Sequence, residues 1–530
     1  MLPPLATLMF FAGVSCCQAA IINAASPSYV DVSNACYSAY PGDTVVMPPG
    51  AAAWTTALWL PRGVSLIGTG TNQTIITDDA ILNENALINA VNLSSTSLTR
   101  ISNFQIVGAG NTTFGSPSDS VITIGSGVDN QPIQWRIDNI FFNQCVSHQI
   151  VVWNKLGLID HCYFLINSLT AGCEAVRVFG DLQSLGNYSW SVPYYYGTTN
   201  SLYVENNVFN NVTPNSANGS IGDIPQGGGE VFRYNTCINA IWGNHGLEGA
   251  RSCRWWEIYN NTFIATNNTF TQDLEPMDFR GGTGVVFSNT IIGYKLASSV
   301  ENYRSITYFS VFGGANGLYQ LDSNAPAIFL SGTWTNDSIL CTNNVLTFTG
   351  VNWANNQWAG YTLVDTTTNA FDQYGYPALA FALIIANDNS SLTFYPPKTT
   401  GNSTPYFNIN NGDKWEIHKV IRALDQIGSG SGSLLSGVNN HLVGLNDEKG
   451  EPLYWWSNTL NGATCYFGNN GYASIVAGRD FTNDVAKPGY APLLYPHPLT
   501  STMLTVTNTG TITGTGAVIP PRDLQAHPPR

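Results

Sequence analysis

Between Gly227 and Gly293 the chain repeats one phrase: a short run in which apolar residues alternate with others, then an Asn, then a second apolar run. It reads FRYNTCI, EIYNNTF and VFSNTII, with the Asn at 235, 261 and 289, steps of 26 and 28 residues. Alternation with a period of two predicts strands with one face turned inward and the other outward. A fixed period in the range of 20 to 50 residues predicts stacked repeats. Each phrase is therefore expected to form one coil of a β-solenoid. Asn suits the closing position because its side chain tolerates left-handed backbone and can bond to its counterpart one coil away. The same pattern assigns Asn139, His161 and Asn207 to this position, the step of 22 being one coil and the step of 46 two.

Upstream, Tyr29 to Ala39 has a helical spacing, and a helix there would cap the first coil, as terminal repeats require. PGDTVVMPPG and GVSLIGTG then open the coils, which continue through LTRISNFQIVGAG, IQWRIDNIFFNQC, IVVWNKLGLIDHCYFLINS, CEAVRVFG and SLYVENNVFNNVT. Two segments, 181–199 and 213–229, are too long and polar for simple turns, and loops of that length in a solenoid commonly border its binding face. From 350 to 420 the phrase disappears and short alternating strands suggest an inserted or lateral β module. The division expected is a signal peptide at 1–20, a parallel β-helix at 21–349, the module at 350–420, a closing β segment at 421–510 and a disordered tail at 511–530.

The initial amphipathic segment, GDTVVMPPG, the GVSLIGTG strand and the Asn-punctuated coils resemble the right-handed parallel β-helix of the pectate-lyase-like superfamily over roughly Ser26 to Val345. KPGYAPLLYPHPL is similar to the closing phrase of secreted bacterial β-helix proteins. The resemblance implies an all-β solenoid that acts on or binds polysaccharide, and it leaves the substrate open because that fold hosts lyases, hydrolases, epimerases, tail spikes and adhesins. IDHCYF is similar to the strand phrase carrying a calcium-binding Asp in pectate lyases, and GNHG to the Gly-His-Gly of polygalacturonases. The Arg-Pro-x-x-Arg phrase of the former and the paired-Asp phrase of the latter are absent.

Composition narrows the partners. The balance of 20 basic and 34 acidic residues gives a net charge of −14, which opposes binding to nucleic acid and to anionic membranes. Residues 1–20 hold an apolar run too short to span a bilayer and end in small residues, as a secretory signal does, so a secreted, extracellular protein with no membrane span is expected. Cys16 and Cys17 would leave with it. The other eight cysteines lack CxxC spacing, which argues against zinc and leaves Cys145, Cys162 and Cys237 as candidate small core residues. Acceptor sequons for glycosylation are frequent.

The chemistry is densest from Trp242 to Gly282. Six of the 20 basic residues lie between Arg233 and Arg304. Arg251 and Arg280, 29 residues apart where the coil step is 28, should share a phase on adjacent coils, about 4.8 Å apart. Two such guanidinium groups need an anion between them, supplied by Glu248, Asp278 or a bound carboxylate. Trp242, Trp255 and Tyr303 offer flat faces for sugar rings, with Arg254 beside them, while Trp256 shares its parity with Ile258 and points inward. In a uronate lyase arginines such as Arg251 and Arg280, or a cation, would neutralise the substrate carboxylate while a base, His245 or an unprotonated Arg or Lys, removes the neighbouring proton. In a glycoside hydrolase Glu248 and Asp278 or Asp273 would be the two carboxylates. A non-catalytic glycan-binding or surface-attachment protein is the third reading. Calcium (Ca2+) would find surface Asp residues but no dedicated loop. His161 and His497 are read as structural.

Overall fold

The computed structural model describes residues 19–80, 86–94, 96–108, 120–126, 135–145, 148–153, 156–166, 174–180, 195–212, 221–244, 253–266, 275–300, 328–335, 339–340, 345–359, 362–371, 377–394, 408–418, 427–428, 451–470, 475, 477–501, 505–506 and 512–513. The fold is an all-β parallel solenoid. The chain enters it at Ile21–Asn23, which pairs with Thr44–Val46 as the first two rungs. The capping helix forms over Tyr29–Tyr37, with the Ser28 side chain accepting from the Asp31 N–H at its start and Val32, Ala35 and Cys36 turned into the first coils.

Three parallel sheets run the length of the solenoid. The first face stacks Ile22, Val45, Leu66, Ile101, Ile137, Ile159, Val204, Phe232, Ile258, Val286 and Trp455 in one inward column. On the second, Phe142, Phe164 and Phe209 stack at 4.8 and 4.7 Å between ring centres, and Cys237 continues that column to Phe263. Cys145, Cys162 and Cys237 are accordingly buried in the core. The third face runs from Leu58–Trp59 through His148–Trp153 and Val176–Phe179 to Gly222–Asp223, and strands Trp242–Gly243, Met277–Phe279 and Ser299–Val300 follow it.

The corner between the first and second faces explains the repeating Asn. One residue there has positive φ, including Asn139, His161, Asn206, Tyr234, Asn260 and Ser288. The residue after it forms the ladder: Asn207, Asn235, Asn261 and Asn289 each donate from Nδ2 to the Oδ1 of the next, at 3.1, 3.1, 3.0 and 2.9 Å, ending on Asn458. Asn139 and His161 therefore stand at the left-handed position, one residue before the column that Cys162 and Asn207 occupy. The step of 46 is corrected likewise: Gly157–Asp160 pairs directly with Leu202–Glu205, so His161 and Asn207 are one coil apart. The second excursion contains the strand Gly222–Asp223 and the start of Gly229–Arg233. Asn211, one of the acceptor sequons, is buried within the second face.

The solenoid is interrupted once. Thr283–Phe287 pairs with Leu453–Trp456, and Asn289 bonds to Asn458 across the gap in sequence. Between them an antiparallel sheet extends over Ile328–His418, starting N-terminal to residue 350, with its own core of Trp334, Phe348, Trp353, Trp358, Leu363 and Trp415.

Candidate functional site

The outward side of the first face holds a ladder of ion pairs. Arg100 grips Asp138 with two bonds of 2.6 Å, Arg136 grips Asp160 with two of 2.7 Å, and Arg233 pairs with Glu205 at 2.6 Å. Burial opposes the Asp160 charge, but His161 and Arg136 outweigh it and hold the carboxyl below its ordinary range, while the bond to Asp160 raises His161. The carboxylate of IDHCYF is thus engaged by a guanidinium and an imidazole.

This ladder is sealed from solvent by the segment Lys487–Ser501, which runs back along the axis as a strap. Tyr490 donates to Glu257 Oε2 at 2.5 Å, Arg233 to the Leu493 carbonyl at 2.6 Å, the His497 N–H to Glu205 at 2.9 Å and Arg136 to the Leu499 carbonyl at 3.2 Å. His497 lies on Tyr203, buried, and burial with Arg233 nearby pushes its imidazole down to about 4. The first face is therefore closed.

The third face is covered as well, with His148, Trp153, Arg177, Phe179 and Asp223 all buried, but its chemistry differs. His148 and Val176–Phe179 bring together a group that sequence reasoning missed. His148 Nε2 lies 2.9 Å from Arg177 Nη1, and Arg177 pairs with Asp223 at 2.9 Å. A guanidinium can only donate, so Nε2 is the accepting nitrogen and the proton sits on Nδ1, which faces the Glu174 carboxylate. Burial alone would push Glu174 up, yet the bond from His148 and the charge of Arg177 leave it below its usual value. Beside them Trp153 and Phe179 stack at 3.9 Å, with the Arg177 guanidinium 4.8 Å over Phe179. The group is one base, its orienting carboxylate, one cation with its own counter-ion, and an aromatic pair. A signal was present in sequence: Arg177 alternates with the inward Val176 and Val178 and so must face out.

The residues expected to form the site are placed as follows. His245, Glu248, Arg251, Asp273 and Tyr303 lie outside the described residues. Trp242 is turned inward, packed on Trp256 and Phe279, because its indole N–H finds its partner inside the solenoid: it donates to Glu230 at 2.6 Å. No sugar ring can reach it there. Glu230 shares the inward parity of Phe232, and burial pushes its carboxyl up to about 7. Trp256 points inward as its parity requires, and Trp255 points out but is covered by Tyr196 and the strap. Arg254 and Arg280 are both buried at the corner between the third and first faces, where the Arg280 N–H donates to Asn244. Asp278 is half-buried on the third-face strand Met277–Phe279 and accepts from Ser299 at 2.6 Å. Among the described residues no group of three or more His, Cys, Asp and Glu could hold a metal, and no helix is long and apolar enough to cross a membrane.

No family model matches this chain, and no curated protein does. Among solved structures it is similar to ORF18 of Geobacillus virus E2, at 14% identity with 71% of this chain and 76% of that one covered and a TM-score of 0.26. It is also similar to the enzymatically active domain of tailspike protein 4 of bacteriophage CBA120, at 13% identity, 74% and 65% coverage and a TM-score of 0.20.

Proposed function

We propose that the protein acts on a polysaccharide along its third face, and that the reaction is β-elimination at a uronate residue. The observation that carries this reading is the placement of His148 against Arg177 at 2.9 Å, with Trp153 and Phe179 alongside. In β-elimination the proton to be removed sits on the carbon that bears the carboxylate. The cation that neutralises the carboxylate must therefore adjoin the base. Arg177 would take the substrate carboxylate in place of part of its contact with Asp223, releasing the Nε2 lone pair of His148 to accept the C5 proton. The electron pair then forms the C4–C5 double bond as the C4–O bond breaks, and the glycosidic oxygen leaves with that bond's electrons and takes a proton from water. Glu174 would hold the Nδ1 proton and steady the imidazolium.

Arg280 and Asp278, expected in the site, lie at the edge of this face and on it, two to three coils further on. A hydrolase is the second reading, for which Asp278 on this face would be one of the two carboxylates.

The test is an absorbance assay for unsaturated uronate on pectate, alginate and glycosaminoglycans, with and without calcium. Wild type should produce the signal, His148→Ala should lower kcat roughly 10²–10⁴-fold with an unchanged circular-dichroism spectrum, and Arg280→Ala should show whether the expected cluster contributes. Reducing ends released without the absorbance would establish the hydrolase. Neither product would leave a binding or attachment protein.

A further inference from the structure

We infer that the second face is the surface on which two copies of this chain pair. Its outward positions form two columns, starting at Ala51 and Ala53 and following the register of ten strands, Gly50–Trp54, Thr74–Asp78, Thr99–Gly108, Trp135–Asn143, Tyr163–Ile166, Val208–Asn211, Thr236–Ile238, Thr262–Ile264, Thr290–Ile292 and Thr459–Leu460. In neither column is any residue charged. Toward the C-terminal end the columns become regular: Thr236, Thr262 and Thr290 in one, Ile238, Ile264 and Ile292 in the other. These side chains are half-buried or exposed, and Ile292 is 45% exposed.

A row of isoleucines at equal height on a flat sheet leaves apolar surface in water at every coil. Solvent-facing sheets normally alternate toward polar residues, and charged side chains are the usual means of keeping such faces apart. Here that means is missing. The net charge of −14 makes copies of this chain repel one another wherever their acidic groups meet, and the second face offers an approach with no charge in either column. The first face is closed by the strap, and the third holds the buried Arg177–Asp223 pair. Size fits as well. Ten strands span nine steps of 4.8 Å, about 43 Å, and two outward residues per strand make about twenty side chains, close to the 20 to 30 residues a side of a standard interface. A two-fold pairing would set the same columns against each other at the roughly 10 Å spacing of packed sheets, with side chains at one-coil intervals interdigitating. The pairing does not depend on the polysaccharide reading.

Analytical ultracentrifugation of the full chain across low to high micromolar concentrations tests it. The expected result is a species of twice the 57.2 kDa chain mass that dissociates on dilution. Ile264→Glu, which places a like charge against its own copy, should weaken association at least tenfold. Ile292→Glu substitutes a residue already exposed, so its melting temperature should match that of wild type while its association is weakened too. A single-chain mass at every concentration, or undiminished association in folded Ile292→Glu, would overturn the inference.

Discussion

Asn261 illustrates how one side chain fixes a coil. Its Nδ2 donates to the carbonyls of Phe232 and Tyr259 and to Asn289, and its Oδ1 accepts from the N–H of Asn235. These are backbone groups that a sharp corner would otherwise leave buried and unpaired. Glu230 is the opposite case, a carboxyl enclosed by the core with the Trp242 indole as its donor. Its value of about 7 lies above the ordinary 4.5, so the folded chain keeps a proton that the unfolded chain releases. The sign follows: this contribution to stability is fully present below about 4.5, declines as pH rises, and is lost above about 7. The full loss is on the order of 3 kcal/mol. Melting temperatures measured between pH 5 and pH 8 should fall for wild type, and Glu230→Gln should make that slope shallower. An equal slope in the variant would place the titrating group elsewhere.

At the scale of the element, the strap Lys487–Ser501 is a segment without regular strand structure that nonetheless closes a face. It satisfies what the ion-pair ladder leaves over. Glu257 ties it to a second segment, accepting from Gly197 N–H at 2.9 Å as well as from Tyr490. Tyr490→Phe should therefore cost about 1–3 kcal/mol, since it removes a donor to a buried carboxylate. Denaturant unfolding would measure the loss, and an unchanged midpoint would mean that the strap is held by its carbonyl contacts alone. Sequence resemblance marked KPGYAPLLYPHPL as a closing phrase. It could not say what was being closed, because the partners Arg136, Glu205 and Arg233 lie hundreds of residues upstream.

For the whole molecule, the insertion between Val300 and Ile427, where the chain rejoins the solenoid core, is the largest departure from the repeat. Phe287 and Trp456 stack at 4.5 Å and 4° across it, as Tyr259 and Phe287 do at 4.6 Å within the uninterrupted coils. The step from the third face to the first takes only residues 280–282 in the coil before. Replacing 301–426 with a short Gly/Ser linker, which keeps Ile427 in the solenoid core and Gly428 bonded to Gly282 and Glu451, should thus leave a folded solenoid, with the same β circular-dichroism signature and cooperative melting; collapse of both would show that the module holds the last coils in place. How much of this was legible in sequence follows from range. Alternation, the Asn period and the capping helix arise from contacts repeated at one coil's distance, so the chain by itself determined the solenoid, its inward columns and the inward turn of Trp256. The left-handed corner one residue before the ladder, the inward Trp242 with Glu230, the meeting of His148, Glu174, Arg177 and Asp223, and the sealing of the first face were decided only in the tertiary structure. Excursions of differing length between coils erase the period exactly where those residues lie, and parity within a strand cannot reveal which neighbouring segment will cover it.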